Sequence, residues 1–109
     1  MNEELHNRLV SVARSGGYAT YSEIAPLLGL DMASPADRTE IGRLLGEVSV
    51  FEHQLGHPLL SVIVIHRDNN IPGPGFFQLA QDLGIYDGND DLLFFVREFQ
   101  RVRDYWRQH

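Results

Sequence analysis

The sequence predicts an α/β, mostly helical fold: a winged-helix-like domain with a short central sheet and an added C-terminal helix. Three observations carry that expectation. Five segments space their apolar residues as amphipathic helices do. One run, residues 58–66, is apolar and rich in β-branched side chains, as a strand buried on both faces would be. Two of the helices, joined by a short turn, come directly before that run, which is the order of a helix-turn-helix followed by a strand.

The first helix is predicted over residues 3–14, where Leu5, Leu9, Val12 and Ala13 share a face. Glu3 and Glu4 begin it and Arg14 closes it, as the helix dipole prefers, and Ser15-Gly16-Gly17 ends it. Thr20 followed three positions later by Glu23 is a capping-box pattern opening a second helix, with Ile24, Leu27 and Leu28 as its buried stripe. Pro26 falls inside this helix and removes a hydrogen bond, so the helix is expected to be short or kinked before Gly29. Ser34-Pro35-Ala36-Asp37 announces the third: serine caps, proline takes the first helical position, and aspartate faces the positive end. Ile41, Leu44, Leu45, Val48, Phe51 and Leu55 continue one face until Gly56.

Leu59, Leu60, Val62, Ile63, Val64 and Ile65 then form the apolar run, and polar chemistry starts where it stops, at His66, Arg67 and Asp68. The loop beyond, residues 69–75, is rich in proline and glycine and is expected to be a structural wing or turn. A short helix through Phe76, Phe77, Leu79, Ala80 and Leu83 is expected to serve packing. A C-terminal amphipathic helix covers about residues 90–107, with Arg97, Arg101, Arg103 and Arg107 on its polar face.

Composition bounds the rest. The 109 residues, 43% hydrophobic and 22% charged, suit one domain spanning residues 1–109, with a winged-helix-like core over 17–80. The absence of cysteine excludes thiolate nucleophiles, disulfides and cysteine zinc sites. No apolar run approaches the roughly 20 residues needed to cross a bilayer, so no membrane partner and a cytoplasmic location are expected. Fifteen acids oppose nine bases, all arginine, for a net charge of −6, which disfavours non-specific attraction to nucleic acid.

Several groups invite a chemical reading. His66-Arg67-Asp68 could supply a base, a charge clamp and an orienting acid, or a polar strand end that fixes the loop. His53 and His57, four apart and beside Glu52, have metal-ligand spacing, but Gly56 breaks the helix between them and no metal site is expected. The Pro72-Gly73-Pro74-Gly75 stretch lacks the lysine of a phosphate loop and the fingerprint of a dinucleotide site, so no cofactor is implied. Residues 31–55 hold five acids against Arg38 and Arg43, which makes a protein partner as reasonable as DNA for the third helix. Phe95, Phe99 and Trp106 read as core, or as a dimer or partner surface where left exposed.

The order of three motifs resembles the C-terminal domain of the alkylguanine-DNA alkyltransferases and their non-catalytic alkyltransferase-like relatives. Those proteins share a tyrosine-glycine-glutamate-isoleucine-alanine pattern, a glycine-containing recognition helix, and an asparagine-proline-led apolar strand ending in proline-cysteine-histidine-arginine. Thr20 to Ala25, Ile41 to Gly46, and Pro58 to Arg67 are the counterparts here, followed by the glycine-rich Gly73 to Phe77, so the similarity spans about residues 17–80. Ile65 stands where the family's alkyl-accepting cysteine would be, which excludes alkyl transfer to the protein. The arginine that such proteins insert into the duplex falls near Thr39, and residues 47–57 lengthen the third helix. The resemblance implies a non-catalytic domain binding double-stranded DNA through Tyr21, Arg38, Arg43, His66 and Arg67. A protein-interaction or self-associating domain, including a homodimer paired through oppositely charged helices, is the alternative. A hydrolase built on His66 and Asp68 ranks last.

Overall fold

A computed structural model describes residues 1–109 and contains five α-helices and one two-stranded parallel sheet. The helices are α1 (Glu3–Arg14), α2 (Tyr21–Leu27), α3 (Pro35–Gln54), α4 (Pro74–Asp82) and α5 (Asp91–Gln108). Strand β1 (Ala19–Thr20) lies beside β2 (Val64–Ile65), with Ala19 opposite Val64 and Thr20 opposite Ile65. The protein is therefore a mostly helical domain. None of its helices is long and apolar enough to cross a membrane.

The helix ends form for the local reasons that the sequence advertises. Thr20 Oγ1 accepts from the Glu23 amide while the Glu23 carboxylate accepts from the Thr20 amide, closing the capping box at the head of α2. Ser34 accepts from the Asp37 amide at the head of α3, and Pro35 occupies the first turn. Pro26 sits inside α2, which stops one residue later.

The central apolar run departs from expectation. Leu60–Ile63 is a 3₁₀ turn and only Val64–Ile65 is strand, although every residue from Leu59 to Ile65 is buried. The cause is where its backbone amides go. Leu59 N–H donates to the Glu98 carboxylate at 2.7 Å, Ser61 N–H to Ser49 Oγ at 2.9 Å, and Val62 N–H to the Leu59 carbonyl at 3.1 Å. A ladder needs a neighbouring strand, and β1 is two residues long. The segment is thus a buried pin threaded between α1, α3 and α5, with burial supplying its stability and side chains satisfying its backbone.

Two buried carboxylates fix that pin. Glu98 of α5, fully buried, also accepts from Arg101 Nη1 at 2.6 Å. Glu52 of α3, equally buried, faces His6 Nε2 of α1 at 2.6 Å and His57 Nδ1 at 2.5 Å, and His57 Nε2 meets the Tyr105 hydroxyl of α5 at 2.7 Å. Of the His53, His57 and Glu52 group read in the sequence, His57 and Glu52 meet in a structural tie whose second imidazole is His6, not His53. The Pro72–Gly75 stretch is also reassigned. Gly73 caps α4 and Pro74 starts it, because proline has no amide to lose at a first helical position.

Candidate functional site

The parallel pairing of β1 and β2 sends the chain out of both strands at the same edge of the sheet. Thr20 lies opposite Ile65, so the next residues, Tyr21 and His66, emerge together at the carboxyl ends of the sheet. Their rings lie 4.3 Å apart, tilted by 32°. The Tyr21 hydroxyl accepts a hydrogen bond from the Gly73 amide at 2.9 Å, which ties the start of α2 to the start of α4. Gly73 is extended, with an ordinary φ of −71°, so its backbone does not require glycine. Space is tight instead: a Cβ there would stand 3.2 Å from His66 Nε2 and 3.4 Å from the Tyr21 oxygen, so the two rings would have to give by a few tenths of an ångström.

Around this junction opens a cleft of about 680 Å³ between α3 and α4. Tyr21, His66 and Gly73 form one end. Thr39, Gly42, Arg43 and Gly46 form the α3 wall, at the i, i+3, i+4, i+7 spacing of a single helix face. Gly42 and Gly46 leave that wall bare, since a Cβ on either would meet nothing closer than Leu79 at 3.9 Å. Two glycines inside a helix cost about 1 kcal/mol each relative to alanine, and that cost is the sequence signal for a surface kept free for close approach. The opposite wall is α4, where Gln78 donates to Asp82 at 2.9 Å. The packing role expected for α4 is therefore joined by a second one, as a wall of the cleft.

The cleft's cations differ in availability. Arg43 is held by Glu40 through two hydrogen bonds of 2.7 and 2.8 Å and by Glu47 at 2.8 Å. Those bonds lower the Glu40 carboxyl below its usual range and raise the already basic guanidinium. Arg38 donates one N–H to the Met32 carbonyl at 2.9 Å and has no carboxylate partner, so its remaining donors are open to a ligand.

Four of the five residues singled out in the sequence, Tyr21, Arg38, Arg43 and His66, line this cleft. Arg67 does not. It lies on the exposed turn that His66 closes by donating to the Ile71 carbonyl and accepting from the Asn70 amide. Asp68 makes no hydrogen bond to His66, so the acid–base pair of the hydrolase reading is not assembled, and no group of three His, Asp or Glu side chains is arranged to hold a metal ion. Ile65 faces a separate apolar groove beside Tyr18, Phe95, Val96 and Phe99.

Burial raises the Tyr21 phenol above its ordinary value of 10.0, and the Gly73 hydrogen bond opposes this only in part. The Tyr86 phenol is pushed up to about 12, first by desolvation and then by its hydrogen bond to Asp91. Unfolded tyrosines ionise first, so above pH 10.0 the unfolded chain binds fewer protons than the native one and stability falls with rising pH. Absorbance titration of tyrosinate should therefore show Tyr21 and Tyr86 ionising late. The late phase should be lost in Tyr21→Phe,Tyr86→Phe, and the denaturation midpoint should decline steadily from pH 10.0 upward.

No family model, curated protein or solved structure matches the chain.

Proposed function

We propose that this is a non-catalytic nucleic-acid-binding domain of winged-helix-like, alkyltransferase-like build, taking double-stranded DNA along α3 and the Tyr21–His66 end of the cleft. The observation that carries the reading is the convergence of Tyr21, Arg38, Arg43 and His66 on one cleft whose α3 wall is stripped to Gly42 and Gly46. In this reading α2 and α3 form the helix-turn-helix, and the bare glycine face lets a sugar-phosphate backbone approach the helix closely. Arg38 supplies the open cationic fork. Arg43 exchanges Glu40 and Glu47 for a phosphate, and Arg67 reaches the flanking backbone from its exposed turn. Tyr21 keeps its hydroxyl proton to donate, because its oxygen accepts from Gly73. The absent cysteine and the unpaired His66 support binding without chemistry on the ligand.

A chain of net charge −6 repels DNA at long range, so binding of this kind is weak and steeply salt-dependent. Fluorescence anisotropy with a labelled duplex at low salt tests it. Wild-type protein should bind, and Arg38→Ala should weaken binding about five- to tenfold while lowering the salt slope by about 1. Absence of binding at low salt and high protein concentration would remove the reading.

A further inference from the structure

The apolar groove that receives Ile65 belongs to no part of the cleft. Two of its lining residues are bare, Tyr18 at 59% and Val96 at 54% exposed, and Leu92, one turn before Val96 on α5, is 62% exposed. Leu92, Val96 and Phe99 fall on one stripe of α5, and Tyr18 borders it from the segment before β1. Scattered exposed apolar residues are common, but a stripe continuous with a groove marks a docking face.

The charges on α5 indicate what covers it. Its entrance carries Asp87, Asp90 and Asp91, while its last turns carry Arg101, Arg103 and Arg107 against the single acid Asp104. Arg103 has no carboxylate partner within the chain, whereas Arg101 and Arg107 are paired to Glu98 and Asp104. A helix polarised in this way complements a copy of itself running in the opposite direction. Acidic entrance then meets arginine exit at both ends, and the two helix dipoles also oppose. Parallel packing would set like against like. We propose that the α5 stripe and Tyr18 form a self-docking surface on which a second copy of this chain lays its own α5 antiparallel, the twofold axis passing near Val96. Such a contact is isologous, so residues equidistant from Val96 meet, and Leu92 of one copy comes beside Gln100 of the other.

Sedimentation velocity over a concentration series tests the association. Wild-type protein should shift from monomer to dimer, and Val96→Glu should remain monomeric with an unchanged melting temperature and unchanged duplex binding. The chain has no cysteine, so direction can be read by cross-linking. Oxidising a mixture of Leu92→Cys and Gln100→Cys chains should give the mixed disulfide dimer in preference to the Leu92→Cys self-dimer. A wild-type chain that stays monomeric, as it would if a different protein covers this face, overturns the proposal. So does a Val96→Glu variant that associates like wild type, and preferential self-linking of Leu92→Cys points to a parallel contact and overturns it too.

Discussion

Replacing Glu98 by alanine is expected to lower stability by about 3–5 kcal/mol, because an orphaned buried donor and a cavity act together. Its carboxylate is buried, and it is the acceptor for the Leu59 amide at 2.7 Å. Leu59 is itself fully buried, so the orphaned N–H finds no water, and an unsatisfied buried donor alone costs about 1–3 kcal/mol. The vacated side-chain volume adds a cavity against the 3₁₀ turn. Arg101 matters less, because its guanidinium reaches solvent and can rehydrate. Glu98→Gln should separate these contributions. Its carbonyl can still accept from Leu59 while its amino group faces Arg101, so a smaller loss of about 1–2 kcal/mol is expected. Thermal denaturation should show a drop in Tm of well over about 10 °C for the alanine variant. A drop of a degree or two would mean that the Leu59 amide is satisfied in some other way.

Glu52→Ala is expected to be second, at about 2–3 kcal/mol. Glu52 joins His6 of α1 to His57, and His57 passes the tie to Tyr105 of α5, so one carboxylate holds three elements around the entry to the apolar run. Both imidazoles keep partial access to water, with side-chain exposures of 19% and 24%, which makes the loss smaller than for Glu98. Tyr105→Phe should cost less again, since it removes only the outer hydrogen bond. Urea denaturation of the two variants, with the slope compared to wild type, checks the order.

Glu98 and Glu52 are groups that a single sequence leaves nearly silent, and the reason is physical. Two helix starts were legible because caps act over three or four residues: Thr20 with Glu23 and Ser34 with Asp37, whereas the Gly73-Pro74 start of α4 reads as a turn. The amphipathic stripes of α1 and α5 were legible because burial repeats with the helical period. The apolar run could be recognised as core but not as a 3₁₀ turn. Which acceptor takes the Leu59 amide is decided by a glutamate 39 positions away, and which takes that of Ser61 by a serine 12 away.

The candidate site was legible to a similar depth. Tyr21 and His66 stood out as residues, but their contact depends on β1 pairing with β2, and a two-residue strand leaves no alternating pattern. The walls supplied by Gln78 and Asp82 depend on how α4 lies against α3, which no local signal records. Gly42 and Gly46 did leave a trace, as glycines interrupting an otherwise strong helix. Arg67 illustrates the converse, since adjacency to His66 in the chain does not carry it into the cleft.

The proposed docking of duplex DNA along the bare face of α3 and the Tyr21–His66 end of the cleft is probed residue by residue in amide chemical-shift mapping of the full chain with a short duplex at low salt. The largest displacements should fall on Tyr21, Gly42, Gly46, His66 and Gly73, with Leu92 and Val96 of α5 unmoved. Unchanged spectra, or displacements confined to α5, would contradict docking at the cleft.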